Sequence, residues 1–468
     1  MEYEDALRAA LTLATVGAFL WLTATSQIQG QILGVVLLAL VLWSLYPDRH
    51  LESSVIVVAA LSLFQASLSV EEFISSIFST YGGSGLWIIV AGFVLAKAME
   101  RSGLARRIAL WIATSLGGNP GGIVLSVAVA NLAVAPLSPS TTAKAFLLLP
   151  ICTALVEAFG VEKGSRFGAS VMLMAMAANN ICSTAFLTAT VPNPISAGYI
   201  GEALGLTLDW LGWLRMALPM TVVLLLLAWF VCMRMFTPDV DGTGESIARI
   251  RGLREGLGPF RRGEKIVAMF FSACLLLWIT DGLHPFNGGL VSLFLALILF
   301  IPGLGVMDVG GFAGDVPWGS IAVFAASMFL ARAVGRWDAL DPVAETVFGF
   351  MRLSRLPPAM FSVLLVFVFM FLHVVFTSTT VYATVMMPLV ISLGQLQGGG
   401  TGFLALAVAF LAPIAVILPV NTIPNIVFLS SGYFSQKQIF SYGLVLSAVS
   451  SVLVLVLGYP YWSVIGLI

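Results

Sequence analysis

The chain is poor in charge. Of its 468 residues only 10% are Asp, Glu, Lys or Arg, against about 25% in an ordinary soluble protein. Basic and acidic residues nearly balance, 22 against 23, so no electropositive field is available for a nucleic acid. Only three histidines occur, His50, His284 and His373, and they do not cluster. The four cysteines, Cys152, Cys182, Cys232 and Cys274, fall singly in apolar segments, which excludes a disulfide frame or a Cys/His metal site. No Ser–His arrangement, His/Glu metal pattern or pair of carboxylates within the apolar runs is present, so an enzyme active site has no residues to be built from. The first residues, Met1-Glu2-Tyr3-Glu4-Asp5, are acidic, unlike the start of a cleaved signal peptide.

What the chain has instead is apolar length. Hydrophobic residues make up 59% of it, and runs close to the roughly 20 residues needed to cross a bilayer recur throughout. They lie at 6–24, 32–46, 53–69, 85–99, 168–189 and 213–236, and again at 264–281, 288–302, 320–334, 402–430 and 438–458. This is an all-α polytopic membrane protein with about 11 crossings.

One phrase occurs twice. Ser140-Thr141-Thr142 is followed by Ala145 and Pro150; Ser378-Thr379-Thr380 is followed by Ala383 and Pro388, at an offset of 238 residues (378 − 140). Shorter apolar runs flank each copy, 121–136 with 143–159 and 359–376 with 381–395. Each flanking pair reads as a re-entrant hairpin with the Ser/Thr cluster at its tip, or else as two ordinary spans joined by a loop. Two further echoes keep the order. Leu95-Ala96-Lys97-Ala98 matches Leu330-Ala331-Arg332-Ala333 at offset 235, and Thr190-Val191-Pro192-Asn193 matches Thr422-Ile423-Pro424-Asn425 at offset 232. An internal duplication follows, and five crossings per repeat would invert one half relative to the other.

The stretch 237–265 carries six of the 22 basic residues. The positive-inside rule places it in the cytoplasm, with the N-terminus also inside and the C-terminus outside. After each matched Leu-Ala-Lys/Arg-Ala comes an amphipathic stretch, Arg101–Leu116 and Arg336–Leu353, suited to lie in the membrane interface. The second contains Pro342 and reads equally well as a short loop.

The polar phrases are where chemistry can reside. Backbone outside a helix is tolerated at bilayer depth only where it is buried in protein or lines a cavity. Pro136, Ser138 and Pro139 break the helix before Ser140, and the next helix then starts with free N–H groups and hydroxyls, an arrangement that accepts anions. Thr377–Thr380 repeat it, so two such ends make a two-sided clamp. The clusters Ser140, Thr141, Thr142 and Ser378, Thr379, Thr380 are therefore the candidate substrate-binding residues; alone, each cluster would more often be glue between helices. Thr190, Pro192 and Asn193, with Thr422, Pro424 and Asn425, form a second pair of interruptions. Their prolines free carbonyls that can hold a coupling cation, or simply kink a helix. Lys144 stands two residues past the first phrase, deep in an apolar run, where an ammonium is costly without a partner. It can help hold an anion, stand in for a coupling cation, or pair with an acid such as Glu157. His373 can couple protons or be a hydrogen-bonded core histidine.

These motifs resemble the divalent anion/sodium symporter family of dicarboxylate, citrate and sulfate transporters. "SPSTTAKAFLLLPI" and "FTSTTVYATVMMPL" resemble its hairpin tips, "FLTATVPNPI" and "LPVNTIPNIVFLSSGYFS" its broken-helix loops, and "GLWIIVAGFVLAKAMERSGLARRIA" its span and interfacial arm. The resemblance implies an inverted-topology repeat with two re-entrant hairpins, a homodimer in a bacterial inner membrane and an elevator motion of a transport domain against a scaffold. On that plan residues 1–118 are scaffold helices and arm, 119–236 the first transport half, 237–264 the linker, 265–355 scaffold helices and arm of the second repeat, and 356–468 the second transport half. The resemblance also implies a small anionic substrate, a di- or tricarboxylate first, and sodium ions as coupling ions without an organic cofactor. Candidate sodium sites would include Pro136, Ser140, Thr141 and Ser183 in one half and Val374, Ser378, Thr379 and Ala415 in the other. The chain departs from the family in one respect: both tip asparagines are threonines, Thr141 and Thr379. Threonine lacks the amide's donors and is shorter. Pro136 and Val374 stand where sodium-coupled relatives tend to carry a hydroxyl, so exchange without sodium is an open expectation. An inorganic oxyanion transporter, an efflux antiporter and an anion channel are the competing readings.

Overall fold

A computed structural model of the protein describes residues 2–25, 27–64, 70–82, 84–115, 119–241, 244–280, 288–304, 306–308 and 318–468. No strand occurs among them. An apolar chain in a hydrocarbon environment must satisfy its backbone internally, and a helix does so within one segment. Seven helices are long and apolar enough to cross a membrane, and four shorter apolar helices accompany them. Eight of these eleven helices fall on runs expected to cross, and the other three, 120–137, 358–375 and 379–397, are runs that flank the two polar phrases.

The first half runs α1 (Glu2–Thr25), α2 (Ile28–Leu45), α3 (His50–Phe64), α4 (Val70–Tyr81), α5 (Ser84–Ser102), α6 (Leu104–Ser115), α7 (Pro120–Val134), α8 (Thr141–Glu157), α9 (Arg166–Cys182), α10 (Pro192–Leu204) and α11 (Trp210–Met235). The linker contains α12 (Gly244–Glu255). The second half runs α13 (Arg262–Ile279), α14 (Gly288–Ile298), α15 (Trp318–Trp337), α16 (Asp341–Phe350), α17 (Pro358–Leu372), α18 (Thr379–Gln397), α19 (Thr401–Leu411), α20 (Ile423–Leu429), α21 (Gln436–Leu453) and, after a π-helical turn, α22 (Tyr459–Val464). From α5 to α11 and from α15 to α22 the order of elements is the same, as the sequence echoes require.

The halves exchange partners. The α2–α3 pair of the first half packs on α15 of the second, and α13–α14 of the second packs on α5 of the first. The same exchange recurs deeper: α10 packs on α18, and α20 packs on α8. Tyr199 on α10 donates its hydroxyl to the Thr384 carbonyl on α18 at 2.9 Å. Two apolar cores result. The smaller is built from α2, α3 and α15 (Ile32, Trp43, Leu61, Phe329), and the larger includes the helices that flank the two polar phrases and the broken helices.

Several boundaries differ from the sequence expectation. The run 402–430 is two helices, α19 and α20, separated by irregular chain. The run 168–189 stops at Cys182, well before Thr190. The second arm is a helix, α16, because Pro342 falls in its first turn, where the missing N–H costs nothing. In the first arm Gly103, at φ +84°, separates α5 from α6; Leu116 and the end of the expected span 53–69 lie outside the described residues.

Candidate anion-binding site

Both polar phrases fold alike. After α7 a 3₁₀ turn over Ala135–Leu137 leads into extended chain, and α8 starts at Thr141. After α17 a 3₁₀ turn over His373–Val375 does the same, and α18 starts at Thr379. Ser140 and Ser378 are the N-caps. Ser140 Oγ accepts from the Ala143 N–H at 3.1 Å, and Ser378 Oγ from the Val381 N–H at 3.4 Å. Each cap hydroxyl keeps its own proton to donate to an anion, and the first helical amides of α8 and α18 have no intrahelical acceptor.

The broken helices are held by one device used twice. Asn193 donates its amide to the carbonyls of Ser183 (2.7 Å) and Phe186 (2.8 Å). Asn425 donates to those of Ala415 (2.8 Å) and Leu418 (3.0 Å). In both cases the acceptors lie ten and seven residues upstream. A side-chain amide thus replaces the helical donors missing from the break. Thr190 and Thr422 are extended, and Pro192 and Pro424 sit in the first turn of α10 and α20. They start new helices; they do not kink old ones.

Lys144 is buried. Its Nζ donates to Ser183 Oγ at 2.9 Å and to the Ala189 carbonyl at 3.0 Å. No acid meets it: Glu157, the partner considered from sequence, is exposed at the far end of α8. Two of the three ammonium donors are thus used, and Lys144 is among the residues that line the cavity described below. In the second half Tyr382 takes the matching place, its hydroxyl on the Phe369 carbonyl at 2.7 Å and its ring stacked on His373 with centroids 3.7 Å apart. His373 is buried, with ring nitrogens 2.9 Å from the Ala412 carbonyl and 3.1 Å from that of Met370. It is a hydrogen-bonded core histidine.

Each tip is also tied to a broken helix through its backbone. Asn179 donates to the Thr141 carbonyl at 3.1 Å. Asn421 donates to the carbonyls of His373 (2.7 Å) and Phe376 (2.9 Å). Asn179, Asn180 and Asn421 were missed as site residues. For Asn179 and Asn180 the signal was present, because two adjacent amides in the run "MLMAMAANNIC" are costly in an apolar helix without partners.

A cavity of about 780 Å³ opens at the first tip. Ser138, Ser140, Thr142 and Lys144 are among the residues that line it. The volume suits a small organic anion with water. Ser378, Thr379 and Thr380 do not line it, and Val375 beside them is 75% exposed. The cavity therefore belongs to the first half. Pro136 is partly buried at the tip, Val374 is exposed, and Ala415 is buried without a side-chain donor atom. Ser183 Oγ and the Ala189 carbonyl accept from Lys144, and the Ala415 carbonyl accepts from Asn425. Among the described residues no cluster of His, Cys, Asp or Glu could hold a metal ion.

A family model described as the sodium:sulfate symporter transmembrane region matches residues 9–468. The chain is 26% identical to the sodium-dependent dicarboxylate transporter SdcS of Staphylococcus saprophyticus, over 92% of this chain and 91% of that one. It is 23% identical to the citrate/succinate antiporter of Escherichia coli K12, over 81% and 79%. Among solved structures, the YdaH transporter of Alcanivorax borkumensis superposes with a TM-score of 0.53 at 15% identity, covering 85% of this chain and 89% of that one. That likeness concerns the fold.

Proposed function

The chain belongs to the sodium:sulfate symporter family and is an integral membrane transporter, and from that premise we propose that it exchanges small di- or tricarboxylates across the membrane without sodium. The observation that carries this reading is the Lys144 ammonium on Ser183 Oγ and the Ala189 carbonyl. A fixed positive charge sits on oxygens that would otherwise face a coupling cation. It neutralises part of the substrate's charge as a bound ion would, but it cannot be released with the substrate. A carrier with such a charge is poised to return loaded, which is exchange. The printed functions of similar proteins include both sodium-dependent transport and antiport, and Val374 and Ala415 offer no side-chain oxygen in the second half.

In this reading Ser140, Thr142 and Lys144 hold one carboxylate, and Ser378–Thr380 meet the other when the second tip closes on the cavity. Such closure requires the two hairpins to move against the scaffold, an elevator step within a homodimer. The basic linker marks the cytoplasmic side of the inner membrane, with the N-terminus also inside and the C-terminus outside.

The test is counterflow. Proteoliposomes loaded with succinate, citrate or sulfate, or left empty, are given labelled succinate outside without sodium. Uptake only into loaded vesicles, and fastest into those holding a carboxylate, is expected. Equal uptake into empty vesicles, driven by a sodium gradient, would overturn exchange.

A further inference from the structure

The arm helix α6 and the end of α5 carry four basic side chains close to the cavity, and three have acids. Arg101 pairs with Asp308 at 2.6 Å, Lys97 with Glu100 at 3.0 Å and Arg107 with Glu264 at 2.8 Å. Arg107 also donates to the carbonyls of Leu257, Gly258 and Pro259, fastening the linker to the arm. Arg106 has no ion pair or hydrogen bond among the described residues, is exposed, and lines the same cavity as Ser140, Thr142 and Lys144. Leu253 of α12 lines it too, so the cavity borders the linker.

We propose that Arg106 is an outer anion station at the linker-side mouth of the cavity, taking a carboxylate of the incoming substrate before the Ser140–Thr142 tip does. The choice of a carboxylate rests on the proposed function; the sign of the charge does not. Lys97 and Glu100 cancel one another at the same wall, so Arg106 adds a net positive charge there, on the side where the basic linker lies. A cleft with low-dielectric walls focuses that potential and concentrates anions at its mouth. The guanidinium is planar and forked, matching a carboxylate with two parallel hydrogen bonds. Arg107, one residue on, is committed elsewhere: four of its five donors are spent on Glu264 and the linker backbone. The anion would then meet a cation at the rim and, at the tip, the hydroxyl residues Ser138, Ser140 and Thr142 with Lys144.

The test reads the mouth without requiring transport. Ala143 is exposed and lines the cavity, whereas all four native cysteines are buried, so Ala143→Cys places one accessible thiol there. Its reaction rate is measured with an anionic, sulfonate-bearing methanethiosulfonate and with a cationic, trimethylammonium-bearing one. Adding Arg106→Gln should lower the anionic-to-cationic rate ratio about fivefold, a magnitude typical of local charge focusing. Arg106→Lys should keep the ratio, and Lys437→Gln, outside the cavity, should not change it. Succinate should protect the introduced thiol, with the half-protecting concentration raised about fivefold by Arg106→Gln. A ratio unchanged within twofold by Arg106→Gln would overturn the proposal, and so would a lowered ratio with unaltered succinate protection. Failure of counterflow would instead count against exchange and would leave both labelling results readable.

Discussion

The side-chain amide of Asn180 on α9 donates to the Asn425 carboxamide oxygen on α20 across 3.1 Å, joining the two halves of the duplication at the centre of the larger core. Because the Asn425 amide nitrogen is committed to the Ala415 and Leu418 carbonyls, its oxygen must be the acceptor, which fixes the orientation of both amides. The contact completes a relay between the tips. Asn179 holds the Thr141 carbonyl, its neighbour Asn180 holds Asn425, and Asn421 on the same broken helix holds His373 and Phe376. The relay is not symmetric. Asn193, the counterpart of Asn425 at offset 232, has a buried oxygen without a hydrogen-bond partner, and the residue matching Asn180 at that offset is Ala412.

Asn425→Ala should be the more damaging of the two relay substitutions. It strands the Ala415 and Leu418 carbonyls as well as the Asn180 donor, a loss of about 3 kcal/mol for buried polar groups left unmade. Asn180→Ala strands one acceptor and should cost about 1–2 kcal/mol. Denaturation of both single variants and the double variant in detergent gives the coupling, expected near 1 kcal/mol for a direct contact. Strictly additive losses would mean that the bond does not couple the halves.

Restoring the family's tip asparagines should tighten dicarboxylate binding. Thr141→Asn with Thr379→Asn adds amide donors at both tips, and the half-saturating succinate concentration should fall roughly threefold to tenfold, about 1 kcal/mol of added hydrogen bonding. Competition uptake with succinate, citrate and sulfate checks it. An unaltered ranking of the three would show that these two side chains do not set selectivity.

Acid should weaken the junction between the linker and α9. Asp239 accepts from the Arg166 N–H at 3.2 Å and the Phe167 N–H at 3.1 Å, at the positive end of α9. Its slight burial alone would raise the pKa of the carboxyl, but the backbone donors and the Arg166 charge outweigh that and hold it below the usual value. A group depressed on folding contributes stability above its unfolded pKa and loses it as pH falls through its folded pKa. Asp239→Asn should therefore lower the unfolding temperature at pH 7 by a small amount, on the order of 0.5 kcal/mol for a charge at a helix terminus. That difference should shrink and then vanish as pH falls below the usual carboxylate range and through the depressed pKa of Asp239. A gap that persists there would assign the effect to packing.

The hairpin tips and broken helices were legible because each interrupts an apolar run with residues that cannot continue a helix silently. Pro136, Pro139 and Ser140 announce one end, and Thr190, Pro192 and Asn193 another. The extent of the breaks was not legible. The chain leaves the helix already at Ser183, because Asn193 supplies from ten residues away the donors that the helix gives up. Nothing at Ser183 itself signals this. The surroundings of Lys144 were equally hidden, since Ser183 and Ala189 are some 40 residues distant and have ordinary sequence contexts. The exchange of helix pairs between halves is also unreadable from hydropathy, which records which stripe is apolar but not what covers it. The second arm was legible only as two equal readings, helix or loop, and the structure has the helix, with Pro342 in its first turn.

The account turns on Lys144 filling a cation's place, and a sodium titration of transport tests that most directly. Succinate exchange by the unmodified protein is measured in proteoliposomes at rising sodium with potassium as the balancing ion, beside Lys144→Ala. The account predicts a flat rate for the unmodified protein and, for the variant, at least a tenfold loss without sodium, about the 1.4 kcal/mol or more expected when a charge-assisted contact is removed. A rate for the unmodified protein that is near zero without sodium and saturates as sodium is added would contradict it.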